Sequence, residues 1–147
     1  MKELEFLNNI RSIPLLYYLS GIITSLFGLY LVLLLAIAAI KKNTAIRYFS
    51  TFASTAKAHY LEQIIRIIIG SSLLIFSSEM LGTWYYYYFG WLLVGTSILL
   101  LIIPWQVHHR FGKWAIPLTI KYIWLYASIA AILGMIILYA IFIPIFS

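Results

Sequence analysis

The chain contains an unbroken apolar stretch, from Pro14 to Ile40, that carries no charged residue. An α-helix needs about 20 apolar residues to cross the hydrocarbon core of a bilayer, because each residue advances the helix by about 1.5 Å. This stretch is longer than that, and basic residues bound it, Arg11 before it and Lys41 and Lys42 after it. It predicts a transmembrane helix and excludes a soluble globular fold for this part of the chain.

The composition extends the same conclusion to the rest of the chain. Hydrophobic residues make up 64% of the sequence and charged residues 10%, against roughly 45–50% and about 25% in soluble domains. So few charges cannot cover a water-exposed surface, and lipid is the expected solvent. Cysteine is absent, which excludes thiolate catalysis, disulfides and cysteine-ligated metals.

Three further apolar segments follow the first. They cover residues 61–81, 84–105 and 117–142. Aromatic side chains mark both ends of 84–105 and lie near the start of 117–142, at the level where lipid headgroups begin. We therefore predict an all-α polytopic membrane protein, with residues 1–147 forming a single membrane domain. The expected architecture is an antiparallel bundle of four transmembrane helices, with spans at approximately 14–40, 61–81, 84–105 and 117–142.

The segment between the first two spans, approximately residues 44–60, has one apolar and one polar helical face. The apolar positions recur at helical spacing: Ile46, Phe49, Phe52, Ala53, Ala56 and Tyr60. This pattern is typical of an amphipathic helix lying in the membrane interface. Such a helix is expected on the cytoplasmic side, between spans one and two, either separate from the second span or continuous with it, since no Gly or Pro lies between Ala53 and Ile69.

Basic residues are distributed unequally between the two sides of the predicted bundle. Two cations, Lys2 and Arg11, precede the first span, whereas seven lie in the segments after spans one and three: Lys41, Lys42, Arg47, Lys57, Arg110, Lys113 and Lys121. The positive-inside rule then places both termini outside the cytoplasm, in a plasma membrane or bacterial inner membrane. The seven cations flank apolar runs, so we expect them to contact anionic lipid headgroups, not nucleic acid.

The second span is unusual because polar residues extend into it. Thr55, His59, Glu62, Arg66 and Gly70 recur every three or four residues and therefore share a helical side, and Glu62 and Arg66 have the favourable order for an i,i+4 ion pair. Ionisable residues inside a span indicate a functional site, here a polar pocket formed by His59, Glu62, Gln63 and Arg66. Alternatively, Arg66 extends along the helix to the interface and has no partner in the bundle.

Neither a metal site nor a cofactor is expected from the sequence. His108 and His109 are adjacent, so their side chains point apart on a helix, and no cysteine or carboxylate is near them in sequence. All three histidines fall at the same predicted membrane edge, which disfavours a haem held at mid-span. The chain has four glutamates and no aspartate, so paired-carboxylate catalysis has no support.

Small residues occur at helical spacing in every predicted span. Glycines with this pattern are Gly21, Gly28, Gly70, Gly90, Gly95 and Gly134. In lipid, helices associate largely through close approach at such residues. They predict tight helix packing, either within one chain or between chains.

Three functions are open at this stage. The first is a non-enzymatic accessory or structural subunit that packs in a homo-oligomer or a larger membrane complex, because the aqueous segments are too short to hold a site. The second is a protein that binds or transports a small solute or lipid headgroup through a cytoplasm-facing pocket on the second span. The third is a membrane enzyme in which His59 or Glu62 carries a proton.

Overall fold

The computed structural model describes residues 7–10, 12–51 and 55–146, and most of these residues form helices. They are α1 (Pro14–Ile40), α2 (Lys42–Thr51), α3 (Ala56–Phe76), α4 (Thr83–Ile102), α5 (Trp105–Lys121) and α6 (Ile123–Phe146), and a 3₁₀ turn, Ser77–Glu79, follows α3. No strand occurs within these described ranges. By length and composition, α1, α3, α4 and α6 are able to cross a membrane. The predicted all-helical architecture is thereby confirmed, together with four helices long and apolar enough to span a membrane.

The second spanning helix begins earlier than the sequence pattern suggested. It starts at Ala56 because Thr55 caps it: the Thr55 hydroxyl accepts a hydrogen bond of 3.1 Å from the backbone N–H of Ala58. The segment predicted as one amphipathic helix over 44–60 is thus divided. Residues 42–51 form α2, residues 56–60 belong to α3, and residues 52–54 lie outside the described part of the chain.

The fourth spanning helix begins later than predicted, at Ile123, and Pro117 lies inside the preceding helix. The boundary follows the charge pattern, since α5 contains the basic residues Arg110, Lys113 and Lys121, whereas α6 contains no charged residue. Residues 117–121 therefore join the polar helix α5. The segment around His108, between the predicted third and fourth spans, is also helical.

Helix α1 packs against α6 and α3, and α3 packs against α4. Glycines allow the closest approaches. A Cβ atom on Gly134 would lie 2.5 Å from the backbone oxygen of Gly28, and one on Gly70 would lie 2.9 Å from the backbone oxygen of Gly90. The predicted close packing at these glycines thus occurs within one chain. Gly95 differs, because a Cβ added there would meet no atom within 4 Å.

The turn between α3 and α4 anchors one end of the bundle. Gly82 has φ +84°, a left-handed conformation that favours glycine, and the N–H of Leu81 donates a 2.9 Å hydrogen bond to the backbone oxygen of Ala140 on α6. Nearby, the Tyr86 hydroxyl donates to the Ile136 backbone oxygen at 3.3 Å. A core joins all four spanning helices at this end, and its buried members are Leu31, Leu73, Met80, Tyr86, Ile137, Ala140 and Ile141.

We call the opposite end of the bundle, where α1 ends and α3 begins, the basic edge. A second apolar cluster, formed by Ala38, Ala45, Ile123 and Ala127, joins α2 to α1 and α6 there. Seven exposed cations surround it: Lys41, Lys42, Arg47, Lys57, Arg110, Lys113 and Lys121. The two cations predicted for the other side, Lys2 and Arg11, lie outside the described residues.

Candidate functional site

Two adjacent faces of α3 present polar side chains near the basic edge. His59 and Gln63 are one helical turn apart and almost completely buried, with 1% and 0% of their surface exposed. Glu62 and Arg66 form the neighbouring face, and their side chains are 19% and 31% exposed. The single polar side predicted from the sequence is therefore divided into a buried face and a partly open one. Gly70 belongs to the buried side, where it contacts Gly90.

Arg66 is held by α4, the neighbouring spanning helix. One of its terminal nitrogens, Nη2, donates a 3.1 Å hydrogen bond to the hydroxyl of Thr96, and the other, Nη1, lies 3.7 Å from a carboxylate oxygen of Glu62. The Thr96 hydroxyl in turn donates to the Leu92 backbone oxygen at 2.6 Å. Arg66 therefore bonds to a neighbouring helix and does not only extend along α3 to the membrane interface. Glu62 lies beside it on the same face of α3.

The histidines His59 and His108 meet where α5 covers the start of α3. Their ring centres are 4.6 Å apart, and Nε2 of His108 lies 3.9 Å from the second carboxylate oxygen of Glu62. Burial lowers the pKa of His108 below its ordinary value of 6.5, although the negative charge of Glu62 opposes this effect. His108 is therefore largely neutral at pH 7. His109 points elsewhere and packs on the Trp105 ring at 5.3 Å.

Four buried side-chain atoms near the basic edge have no hydrogen-bond partner among the described protein groups. They are His59 Nδ1, Gln63 Nε2, Gln63 Oε1 and Arg66 Nε. An unsatisfied buried polar atom costs about 1–3 kcal/mol, so buried polar atoms in native proteins are nearly always paired with protein, water or a ligand. In the described part of the chain, all such atoms belong to this one cluster on α3.

A groove of about 460 Å³ lies between α1 and α3, on the open side of Glu62 and Arg66. Its walls are apolar and consist of Ile23, Leu26, Phe27, Ile65 and Ile69. The basic-edge end is polar, because Glu62 and Arg66 lie there with Tyr30 and Tyr48, whose hydroxyl oxygens are 2.7 Å apart. Helix α2, which carries Tyr48, caps this end.

The tyrosines and Thr96 were not among the residues predicted for the site. Tyr30 is a hydroxyl-bearing residue inside an otherwise largely aliphatic stretch of α1, and that contrast was the available signal. Tyr48 and Thr96 join the site only through tertiary packing of α2 and α4. The predicted residues His59, Glu62, Gln63 and Arg66 do lie together on α3, and His108 of α5 lies beside His59 and Glu62.

The described residues contain no group of three or more histidine, aspartate or glutamate side chains placed to hold a metal ion. Comparisons with family models, with curated proteins and with solved structures find no match to this chain. The geometry of the groove and of the polar cluster behind it is therefore the basis for assigning a function.

Proposed function

We propose that this protein binds a single-chain amphiphile of the membrane in the groove between α1 and α3. The observation that carries the proposal is the division of the groove into an apolar length and one polar end. Hydrogen-bonding groups of three helices converge at that end: Tyr30 from α1, Tyr48 from α2, and Glu62 and Arg66 from α3.

The dimensions of the groove suit a ligand that shares the bilayer with the protein. Ligand pockets in proteins are typically about 300–1,000 Å³, mostly apolar, with few polar groups that fix orientation, and the groove has about 460 Å³. Its aliphatic wall residues Leu26 and Ile65 are 58% and 47% exposed, so the groove opens sideways. A hydrocarbon chain can enter it from lipid without crossing a polar surface.

The charges at the polar end limit the kind of headgroup. Glu62 and Arg66 carry opposite charges and lie 3.7 Å apart, so together they contribute little net charge. The Glu62 carboxylate accepts hydrogen bonds and the Arg66 guanidinium donates them, so the polar end offers both kinds of partner. The headgroup that fits best is uncharged or zwitterionic and both donates and accepts hydrogen bonds, such as a hydroxylated one.

The seven exposed cations have a separate role in this proposal. They surround the basic edge and are able to contact anionic lipid headgroups, each contributing about 1 kcal/mol near an anionic surface. By the positive-inside rule the basic edge faces the cytoplasm, with both termini on the other side. The amphiphile then binds with its polar end toward the cytoplasm.

A role as an accessory subunit in a homo-oligomer or larger complex stays a prediction. It is compatible with amphiphile binding, because the groove occupies only the α1 and α3 side of the bundle. A partner subunit has the α4 and α6 sides available, where the glycine Gly95 has open space around it.

Photolabelling tests the proposal directly. The protein is reconstituted in lipid nanodiscs with a long-chain alcohol that carries a diazirine in its tail, irradiated and digested, and the labelled residues are identified by mass spectrometry. We expect labels concentrated on the groove walls at Phe27, Ile65 and Ile69. Labels spread evenly over all lipid-exposed residues would overturn the proposal.

A matched pair of variants controls for nonspecific labelling. Ile65 lines the groove and is 47% exposed, whereas Ile68 is 48% exposed on the same helix and does not line it. Ile65→Trp fills the groove and is expected to reduce labelling of Phe27 by about tenfold or more, equivalent to a loss of about 1.4 kcal/mol. Ile68→Trp should leave the labelling of Phe27 unchanged.

A further inference from the structure

The side of α3 that faces α4 and α5 has polar groups of its own, which meet the groove only at Arg66. Nδ1 of His59, both amide atoms of Gln63 and Nε of Arg66 are buried there, and no described protein group bonds to any of them. His59 and Gln63 are 99% or more buried. These atoms belong to successive turns of one helix, so they form a continuous polar strip.

The chemistry of the strip identifies the molecule that fits it. Nε2 of His59 lies 3.1 Å from the Leu100 backbone oxygen, which only accepts, so this nitrogen carries a proton and donates, and Nδ1 is left to bond another molecule. Gln63 offers one donor and one acceptor group, and Arg66 Nε is a donor. Water both donates and accepts, and buried waters typically make two to four hydrogen bonds to such groups.

Charged and polar groups continue from the strip to the basic edge. His108 Nε2 is 3.9 Å from one carboxylate oxygen of Glu62, and Arg66 Nη1 is 3.7 Å from the other. Both distances exceed the length of a direct hydrogen bond, so these groups keep capacity to bond water. The His108 side chain is 15% exposed, so it lies between the buried strip and the basic edge.

We infer that a hydrated cleft runs from His108 at the basic edge, past His59 and Gln63, to the Glu62–Arg66 pair. Its ligand is water, and protons are able to exchange along it between the bulk solution and the polar end of the groove. The titratable and charged groups around it are His59, Glu62 and Arg66 on α3, His108 on α5, and Tyr30 and Tyr48 across the groove. The inference rests on the proposed function only in treating the Glu62–Arg66 pair as the headgroup site.

Thiol accessibility tests the cleft without involving the groove. Because the chain has no native cysteine, Gln63→Cys introduces a single thiol into the cleft. A charged methanethiosulfonate reagent is added to the protein in nanodiscs. We expect modification of Gln63→Cys about tenfold or more faster than that of a dry buried cysteine, because the reactive species is the thiolate, which forms only where water reaches it.

Ser77→Cys supplies the dry reference. Ser77 is fully buried just after the other end of α3, in the 3₁₀ turn, and its hydroxyl donates to the Leu74 backbone oxygen at 3.0 Å. Both cysteines should react equally after unfolding in SDS, and His59→Cys probes the same cleft if Gln63→Cys does not fold. Equal, slow reaction of the folded Gln63→Cys and Ser77→Cys proteins would show a dry cleft and overturn the inference.

The route is tested by closing the mouth. His108→Trp in the Gln63→Cys background should slow modification about tenfold, back to the rate of the dry reference. His109→Trp, a change of the neighbouring histidine that packs on Trp105, should not slow it. If neither substitution slows the reaction, water enters by another way and the assigned route is wrong. Because no amphiphile is used, a negative photolabelling result leaves these outcomes unchanged.

Discussion

Replacing Gly134 with alanine should weaken the contact between α1 and α6. The added Cβ would lie 2.5 Å from the backbone oxygen of Gly28 and 2.9 Å from Cβ of Leu31. Backbone atoms cannot rotate away as a side chain can, so the two helices must separate by a few tenths of an ångström or more. Overpacking of this kind typically costs about 1–3 kcal/mol.

Gly95→Ala is the control for the intrinsic effect of the substitution. Alanine favours a helix over glycine by about 1 kcal/mol, and this gain applies to both variants. A Cβ on Gly95 would meet nothing within 4 Å, so the difference between the two variants isolates the packing cost. We expect Gly134→Ala to be less stable than Gly95→Ala by about 1–3 kcal/mol.

The assay is reversible unfolding in mixed micelles with increasing SDS, followed by far-ultraviolet circular dichroism. Intact protein in mild detergent, heated under the same conditions, gives an independent ranking of thermal midpoints. Equal stability of Gly134→Ala and Gly95→Ala would refute the close contact between α1 and α6.

Three more predictions concern the histidine, the turn and the orientation. Because burial lowers the pKa of His108, the unfolded chain binds more protons than the folded one. The thermal midpoint should therefore fall as the pH drops below about 6.5, and it should fall less in the His108→Gln variant. Parallel pH profiles of the two proteins would contradict this. Gly82→Ala, at φ +84°, should lower the free energy of unfolding by about 1–2 kcal/mol in the SDS titration; no change would show that the turn tolerates a side chain. A reporter active only in the cytoplasm should be inactive when fused to the C-terminus, and its activity there would reverse the orientation.

The sequence predicted the spanning helices well because lipid imposes a simple length requirement on apolar segments. Their ends were less accurate. The start of α3 depends on a side-chain cap by Thr55, and the start of α6 depends on where the charges of α5 cease, with Lys121 the last of them. The predicted fourth span began at Pro117, which lies inside α5.

The site was predictable only in part. His59, Glu62, Gln63 and Arg66 share one helix, so their proximity follows from helical spacing alone. The division of these residues into a buried face and an open face required knowing where α4 packs. Contacts such as that of Arg66 with Thr96 join residues 30 positions apart, and no local pattern encodes them.

Identification of the molecules retained by the purified protein tests the central claim most directly. The protein is extracted in mild detergent, and native mass spectrometry compares the wild type with Ile65→Trp and Ile68→Trp. We predict a bound single-chain amphiphile on the wild type and on Ile68→Trp, and its loss from Ile65→Trp, in which the groove is filled. An adduct that persists in Ile65→Trp, or a wild-type protein that retains no amphiphile, would contradict the account.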